Sequence, residues 1–317
     1  MRYTISITSV TLSLFGSCAT AFFIPPVGTT WNYILEQGGV HNPNDSRADV
    51  YFIDMRFPES PDLIKTLHGL SPPKKVFCYF NGGAYDNQQD IPNPFSTADV
   101  GKKMINYDHE FWLNLRSPAV REVMRQRIVQ AKNMGCDGVD PDNVDGYCTD
   151  KGKDGCETGD RTGFTQTKSD TVEFMLFLAS VAHSSSNGNP IAIGLKNAGE
   201  VAANKTLMDA MQWSVNEQCV ETQDCDELRT FIDNQRPVFH VEYKDEFESK
   251  VPPGSIQMAC NGNNTNADSA AATNVTNFST IYKLFVGSMT ENFTTCAGIS
   301  KRASRARALR PASLVQE

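Results

Sequence analysis

Short apolar segments alternate along the chain with segments in which apolar residues recur every three or four positions. The apolar segments are rich in β-branched and aromatic residues, as buried parallel strands are. They cover 31–35, 50–53, 76–80, 138–140, 191–195, 213–215, 238–241 and, with the weakest pattern, 256–259. This alternation predicts βα units and a parallel sheet.

Two of the intervening helices have clear boundary signals. Ser117 and Pro118 are typical of a helix start and Gly135 of a helix end, so this helix is predicted to run from 118 to just before Gly135. Its apolar face carries Val120, Val123, Met124, Ile128 and Ala131. The second helix is predicted to start near Thr165 and to carry Val172, Met175, Leu176, Ala179 and Ala182.

Eight strands with helices between them, in roughly 260 residues, match a single-domain (β/α)₈ barrel of the TIM type. In that fold the active residues lie at the carboxyl ends of the strands. A doubly wound open sheet is the alternative, but no G-x-G-x-x-G follows the first strand, so its nucleotide-binding form lacks the fingerprint.

Residues 1–21 match a secretory signal peptide. Arg2 supplies the positive charge, residues 5–15 are apolar, and Ala19-Thr20-Ala21 fits a cleavage site. The apolar part is shorter than the roughly 20 residues that a membrane span needs, and no later segment reaches that length. We therefore expect a secreted, extracellular protein whose catalytic domain covers 22–298.

The cysteines and glycosylation sequons agree with secretion. Of nine cysteines, Cys18 lies in the signal, and an even set of eight remains for disulfides. Cys148 with Cys156, and Cys219 with Cys225, are the plausible local pairs. Six N-x-[ST] sequons occur, four of them in an Asn- and Thr-rich segment at 261–294: Asn44, Asn204, Asn263, Asn274, Asn277 and Asn292. Residues 299–317 form a basic tail that is predicted to be disordered.

Net charge narrows the class of partner. The 317-residue chain has a formal net charge of −8, which argues against nucleic acid, whose phosphates would be repelled. A negative net charge is compatible with a cationic partner.

Candidate chemistry concentrates after the fourth predicted strand. Asp140, Asp142 and Asp145 lie within the segment Gly-Val-Asp-Pro-Asp-Asn-Val-Asp at 138–145. Carboxylates this close cannot all ionise cheaply, so the pKa of one is expected to rise toward the range of a catalytic acid. A calcium loop or a solvated turn is the other interpretation, although Val144 stands where an EF-hand needs an oxygen ligand.

A second carboxylate follows the sixth predicted strand. Glu217 lies in Asn-Glu-Gln-Cys, directly after an apolar segment, where it serves either as a helix cap or as a catalytic group. Across a barrel mouth, Glu217 and an aspartate would form the carboxylate pair of a glycosidase. Other strand ends are polar as well, and tyrosines near them could stack on sugar rings, so we expect substrate-binding residues among Asp54, Tyr79, Asn143, Asp145, Tyr147, Lys196, Asn197, Asn216, Glu242 and Tyr243.

Competing chemistries lack their motifs. No G-x-S-x-G and no H-E-x-x-H occurs, and the five histidines show no metal-ligand spacing. Cys219 could act as a thiol nucleophile, although a disulfide fits a secreted chain better.

At these residues the sequence resembles glycoside hydrolase family 114, the endo-α-1,4-polygalactosaminidases. The resemblance lies in six segments that span about 30–260: 49–54, 75–80, 135–147, 194–197, 215–219 and 238–243. It implies a (β/α)₈ barrel that cleaves internal α-1,4 bonds between galactosamine units without a metal or an organic cofactor. It also implies a catalytic pair of Glu217 with Asp142, or with Asp140.

The resulting prediction is a secreted endo-acting hydrolase of a cationic, galactosamine-containing polysaccharide. Retention with Asp142 as nucleophile and Glu217 as acid is favoured, although the two roles could be exchanged, and the carboxylate separation decides between retention and inversion. The alternatives are a non-catalytic polysaccharide-binding barrel and a hydrolase of another amino-sugar polymer.

Overall fold

A computed structural model of the chain describes residues 22–37, 47–105, 107–148, 156, 158–222, 224–243, 275–283 and 293–295. The predicted signal peptide, the predicted strand at 256–259, the basic tail, Cys260, Cys296 and four of the sequons lie outside these residues.

Eight parallel strands form the centre of the molecule. In spatial order they are β1 (Trp31–Ile34), β2 (Val50–Asp54), β3 (Lys75–Asn81), β7 (Gly138–Asp142), β8 (Ala192–Lys196), β9 (Trp213–Glu217), β10 (Val238–Tyr243) and β11 (Ser279–Lys283). A two-residue strand, β12 (Thr294–Thr295), pairs antiparallel with β11. Sequence neighbours are also spatial neighbours around the sheet, as a (β/α)₈ barrel requires.

The barrel is nearly closed between its first and last parallel strands. The indole of Trp31 on β1 donates a hydrogen bond to the carbonyl of Ser279 on β11 (2.5 Å), and Lys283 Nζ donates to Asn32 Oδ1 (3.2 Å). Side chains thus join β1 and β11 in place of a full ladder of backbone hydrogen bonds.

Aromatic side chains fill the barrel interior. Because side chains alternate along a strand, every second residue points inward, and these residues form one buried cluster. Phe77 and Trp213 stack face to face with ring centroids 3.9 Å apart. Gly194 makes room for that indole, since a Cβ at this position would lie 1.9 Å from Trp213 Nε1.

Helices cover the outside of the barrel. They are α1 (Ser60–His68), α2 (Pro118–Met134), α3 (Lys168–His183), α4 (Lys205–Ala210), α5 (Cys219–Thr222) and α6 (Arg229–Asp233), with 3₁₀ turns at Gly199–Val201 and Cys225–Leu228. The start and end predicted for α2 are confirmed: Ser117 Oγ accepts from the backbone N–H of Ala119, and Gly135 ends the helix at φ 91°. None of the described helices is both long and apolar enough to cross a membrane.

A small antiparallel sheet interrupts the βα order after β3. It contains β4 (Ala84–Asp86), β5 (Val100–Lys103) and β6 (Glu110–Leu113), in the order β4-β6-β5. The pattern of apolar residues predicts neither this sheet nor α1. The sheet lies at the carboxyl end of β3 and contributes one side of the mouth of the barrel.

Three disulfides connect the described segments. Cys148–Cys156 and Cys219–Cys225 are the two local pairs expected from the sequence, and Cys78–Cys136 is a third. Cys78–Cys136 joins β3 to the second residue after the end of α2.

The eighth barrel strand differs from the expected one. The structure places Ser279–Lys283 there, inside the segment that was predicted to be a glycosylated surface region. Ser-Thr-Ile-Tyr-Lys lacks an apolar run, which is why the pattern pointed to 256–259. Of the sequon residues, Asn204 and Asn277 lie in the described part, and both are exposed.

Candidate active site

Four of the predicted site residues are the last residues of barrel strands. Asp142 ends β7, Lys196 ends β8, Glu217 ends β9 and Tyr243 ends β10. In each strand the inward face reaches its final residue, so all four side chains meet at the carboxyl end of the barrel. This is the end at which (β/α)₈ enzymes hold their active sites.

Lys196 is the centre of the arrangement. Its ammonium lies 3.1 Å from Asp142 Oδ1 and 2.7 Å from Glu217 Oε2, and donates to the hydroxyl of Tyr33 at 2.9 Å. The side chain is almost completely buried. Burial by itself would lower the pKa of Lys196, but Asp142 and Glu217, followed by Asp140, outweigh it and hold the pKa well above its usual value.

Asp142 is held by three donors. Besides Lys196, the hydroxyl of Tyr79 donates to Oδ2 at 2.9 Å and the backbone N–H of Asn143 donates to Oδ1 at 2.8 Å. Asn143 has a left-handed backbone (φ 58°) and binds Asn81 Oδ1 through its amide (3.0 Å). These contacts fix the orientation of the Asp142 carboxylate at the mouth of the barrel.

Glu217 is positioned through both its side chain and its backbone. Tyr243 donates its hydroxyl proton to Glu217 Oε1, and Asn197 Oδ1 accepts from the backbone N–H of Glu217 at 2.9 Å. Asn197 and Gln218 both adopt left-handed conformations (φ 53° and 66°), so the chain turns sharply just beyond Lys196 and Glu217. Beyond these turns Glu217 is partly exposed at the mouth of the barrel, while Lys196 stays buried beneath it.

Asp140, the alternative partner for Glu217, lies deeper in the barrel. It is completely buried one pleat below Asp142, and neither of its oxygens has a hydrogen-bond partner among the described residues. Burial raises the pKa of Asp140 to about 7; Lys196 opposes this rise, and the charges of Asp142 and Glu217 add to it. Of the two aspartates, only Asp142 lines the cleft.

Two predicted binding residues lie away from the cleft. Glu242 points outward from β10, is fully buried, and accepts from the N–H of Val220 (2.8 Å) beside His240. Strand alternation explains this correction: Tyr243 and Glu242 are consecutive, so only one of them can face the barrel interior. Asp54 is buried as well, and both its oxygens bind the guanidinium of Arg56.

Tyr243 is buried behind Glu217, and the remaining predicted residues line a cleft in two halves that share four residues: Asp145, Arg161, Asn197 and Glu217. One half, about 380 Å³, adds Asp142, Lys196 and a largely aromatic and apolar wall: Tyr33, Leu35, Tyr79, Met104, Ile105, Tyr107 and Trp112. The other, about 420 Å³, adds Tyr147, Asn216 and a row of acids: Glu200, Asp224 and Glu227. We call these the aromatic half and the acidic half.

The acidic half contains crowded carboxylates. Burial raises the pKa of Glu227 to about 7, and the neighbouring charges of Glu200 and Asp224 add to the rise. The hydroxyl of Tyr147 donates to Glu200 Oε2 at 2.5 Å. Crowded carboxylates of this kind gain stability when a cation binds beside them.

Sequence reasoning missed several residues of the cleft. Tyr33 lies in a predicted strand where no pattern marks it as functional, and its hydroxyl accepts from Lys196. Glu110 on β6 accepts from the amides of Asn81 (2.9 Å) and Asn143 (3.2 Å), and burial raises its pKa to about 7, with the charge of Asp142 adding to the rise. Tyr107, Glu110 and Arg161 come from the segments that connect barrel strands to the following helices, where no spacing signal marks them.

A possible metal-ligating group lies behind the cleft. Within the described residues, Cys219, Cys225 and His240 bring ligand atoms within 4.8 Å of one another. The two cysteines form a disulfide, so neither offers a thiolate to a metal ion. Both ring nitrogens of His240 lie within hydrogen-bond distance of Thr280 and Glu242.

Comparisons with known proteins agree with this architecture. The model of glycoside-hydrolase family GH114 matches residues 14–299. The crystal structure of Aspergillus fumigatus Ega3 in complex with galactosamine is 34% identical, with a TM-score of 0.70, and the match covers 89% of this chain and 100% of that chain. The glycoside hydrolase domain of PelA from Pseudomonas aeruginosa shares the fold at 11% identity (TM-score 0.56; 86% of this chain and 99% of that chain). A comparison with curated proteins finds no match.

Proposed function

Because the chain belongs to glycoside hydrolase family GH114, we propose that it is a secreted endo-acting hydrolase of α-1,4-linked galactosamine polymers in which Asp142 and Glu217 perform the reaction. The observation that carries the proposal is the shared contact of these two carboxylates with Lys196 at the mouth of the barrel.

The separation of the carboxylates supports a retaining mechanism. Asp142 Oδ1 and Glu217 Oε2 lie 3.1 and 2.7 Å from the same Lys196 nitrogen, so these two facing oxygens are at most 5.8 Å apart, which indicates a short separation of the carboxyl groups. Retaining glycosidases hold their carboxyl groups about 5–5.5 Å apart, whereas inverting enzymes need roughly 6.5–9.5 Å for a water molecule. The geometry favours direct attack by one carboxylate.

The position of each group in the cleft supports one assignment of the two roles. Glu217 lines both halves, so a glycosidic oxygen crossing from one half to the other passes beside it, which suits a proton donor. Asp142 lines only the aromatic half and is fixed by three donors, which suits a nucleophile. The C1–O bond breaks as Asp142 forms an ester to C1 and Glu217 protonates the leaving oxygen; water, deprotonated by Glu217, then releases the sugar.

The substrate class follows from the acidic half of the cleft and from the galactosamine bound to Ega3. A deacetylated galactosamine unit carries an ammonium group, which would relieve the repulsion among Glu200, Asp224 and Glu227. A cleft that continues on both sides of Glu217 accommodates a polymer across the reacting centre, as an endo-acting enzyme requires.

Secretion is proposed from the signal-like residues 1–21 together with three disulfides, which persist in oxidising compartments.

The test is fragment release from partly deacetylated α-1,4-galactosamine polymer, followed by mass spectrometry. Wild type is expected to release short oligomers, and Glu217→Gln and Asp142→Asn to lose at least about a thousandfold in rate. Gln218→Asn, next to the site but outside the cleft lining, is the matched control. If the wild type binds the polymer without releasing fragments, the protein is a polysaccharide-binding barrel. If it releases fragments only from another amino-sugar polymer, that polymer is its substrate.

A further inference from the structure

Glu110 is an acid of the cleft that the proposed reaction does not use. It is the first residue of β6, is half-buried, and lines the aromatic half together with Asp142. Asn143 contacts both carboxylates: its side-chain amide donates to Glu110 Oε2 at 3.2 Å, and its backbone N–H donates to Asp142 Oδ1 at 2.8 Å. Glu110 therefore stands beside the proposed nucleophile.

The position of Glu110 is fixed by its neighbours. Its backbone pairs with Asp86 on β4, and its carbonyl accepts from the backbone N–H of Met104 at 2.9 Å. Its side chain accepts from the amide of Asn81, the last residue of β3, at 2.9 Å. These contacts hold the carboxylate at the wall of the cleft, so little ordering is needed when a ligand binds to it.

The charge of Glu110 is not balanced by a cation of the protein. Both side-chain hydrogen bonds come from neutral amides and end on Oε2, and no lysine, arginine or histidine among the described residues forms an ion pair with Glu110. Burial raises the pKa of Glu110 to about 7, and the charge of Asp142 adds to the rise. The guanidinium of Arg56 acts in the opposite direction, but it binds both oxygens of Asp54. A cation next to Glu110 would favour its charged form.

The cations that line the aromatic half do not fill this role, because each of them acts on another acid. They are Lys196, which binds Asp142 and Glu217, Lys103, which binds Asp108 at 2.6 Å, and Arg161, whose charge acts on Asp145. Glu110 is therefore the acid of this half that a cationic ligand can balance.

A deacetylated galactosamine unit carries such a cation. In the proposed reaction, the unit that Asp142 attacks lies in the aromatic half. The ammonium at its 2-position only donates hydrogen bonds and an ionised carboxylate only accepts them, so the two form a charge-assisted pair. An N-acetyl group is neutral and would leave the charge of Glu110 uncompensated.

We propose that Glu110 determines specificity on the Asp142 side of the cleaved bond, where it binds the ammonium of a galactosamine unit and so selects deacetylated units. This inference rests on the proposed function. The acidic half has the same preference on the other side of the bond, so the enzyme is expected to cut best within deacetylated blocks.

The experiment sequences the products of a partly acetylated α-1,4-galactosamine polymer by mass spectrometry. Each cut leaves the units from the Asp142 side at a new reducing end. Wild-type products should therefore be enriched in deacetylated units at the last two positions of that end. Kinetics on the fully deacetylated polymer supply the second measurement.

Glu110→Gln removes the charge, while its amide oxygen can still accept from Asn81 and Asn143. The enrichment should fall to the average composition of the polymer. KM for the fully deacetylated polymer should rise by about tenfold, because a hydrogen bond between charged groups is lost, and kcat should stay within about twofold. Glu110→Asp keeps the charge and should retain part of the enrichment.

Glu122→Gln, on the exposed face of α2, removes a negative charge outside the cleft and is the matched control. Thermal unfolding checks that each variant folds. A lower kcat with unchanged reducing ends in Glu110→Gln would reduce Glu110 to a structural support of Asn143 and overturn the proposal. Wild-type products with randomly placed acetyl groups would overturn it as well. A wild type that releases no fragments from either polymer would overturn the proposed function itself.

Discussion

At the scale of single residues, Lys196 decides how close the two carboxylates can be. Its ammonium contacts Asp142, Glu217 and Tyr33 from a position without access to water. Two carboxylates at this distance would otherwise repel each other strongly. Lys196 therefore allows both carboxylates to stand close together at the mouth of the barrel.

Replacing this ammonium should disable the centre. Lys196→Met is expected to lower kcat/KM by at least about a hundredfold and to move the acidic limb of the pH–rate profile upward, because the carboxylates lose their counter-charge. Tyr33→Phe keeps the charge and removes one acceptor, so it should cost about tenfold without moving the profile. An unchanged limb in Lys196→Met would contradict this role.

Asp140 provides a second test, in the pH dependence of stability. Its pKa is about 7 in the folded protein and roughly 3.9 in an unfolded chain. Between about pH 4 and pH 7 the unfolded chain releases this proton and the folded chain keeps it, so wild-type stability falls as pH rises.

Asp140→Asn cannot ionise there. The free energy of unfolding of Asp140→Asn, relative to that of wild type, should therefore rise between pH 4 and pH 7. The rise should reach as much as about 4 kcal/mol at pH 7 and above. Urea unfolding of both proteins at pH 4, 5.5 and 7 measures the difference. A difference that does not change with pH would show that Asp140 is ionised in the folded state.

At the scale of elements, the sequence predicts the boundaries of α2 more precisely than the start of α3. The start and end of α2 were predicted because Ser117, Pro118 and Gly135 act locally. The start of α3 lies three residues beyond the predicted Thr165, since Thr167 and Asp170 form the capping box that begins it. Local hydrogen bonds of this kind depend on few residues, and a sequence can display them.

The cap of α2 can be tested directly. Ser117 Oγ accepts from the N–H groups of Ala119 (3.2 Å) and Val120 (3.5 Å). Ser117→Ala should therefore lower the free energy of unfolding by about 1 kcal/mol, and Tm by about 2–4 °C. Ser117→Thr retains the hydroxyl and should lose much less; equal losses in the two variants would assign the effect to something other than the cap.

Unlike the helix ends, the small antiparallel sheet and the turn at 158–165 depend on contacts between segments that are distant in the sequence. Neither has an apolar period of its own, and each is held by contacts with the other, as in Lys102 with Thr162. Tyr107, Glu110 and Arg161 reach the cleft only because these segments fold back over the barrel mouth. No local pattern reports such contacts.

At the scale of the whole molecule, charge is divided between the two halves of the cleft. The acidic half gathers Glu200, Asp224 and Glu227, while the aromatic half is lined by residues such as Tyr107 and Trp112. The acidic half would attract a polycationic substrate from a distance. Salt screens this attraction and shortens its range, which is about 10 Å at 0.1 M.

Binding should accordingly depend on salt. Raising ionic strength from 20 to about 300 mM should increase KM for a fully deacetylated polymer at least about threefold and change KM for a heavily acetylated one much less. Glu200→Gln combined with Glu227→Gln should flatten the response to the charged polymer. The same salt slope for both polymers would contradict electrostatic capture by the acidic half.

Local sequence patterns were enough to predict the barrel, seven of its eight parallel strands, and the carboxylates at two strand ends. These features repeat locally: apolar runs make strands, and the residue after a run lies at the mouth of the barrel. Two local disulfides could be proposed for the same reason.

Which carboxylates meet at the mouth of the barrel depends on three-dimensional packing. Asp140 and Asp142 both point inward, but Asp140 lies one pleat deeper and is completely buried. Glu242 and Tyr243 are consecutive residues, so they point to opposite faces of their strand. The eighth strand, Ser279–Lys283, forms because closing the barrel against β1 requires it. Depth, facing and closure arise from the packing of distant segments, which no local pattern encodes.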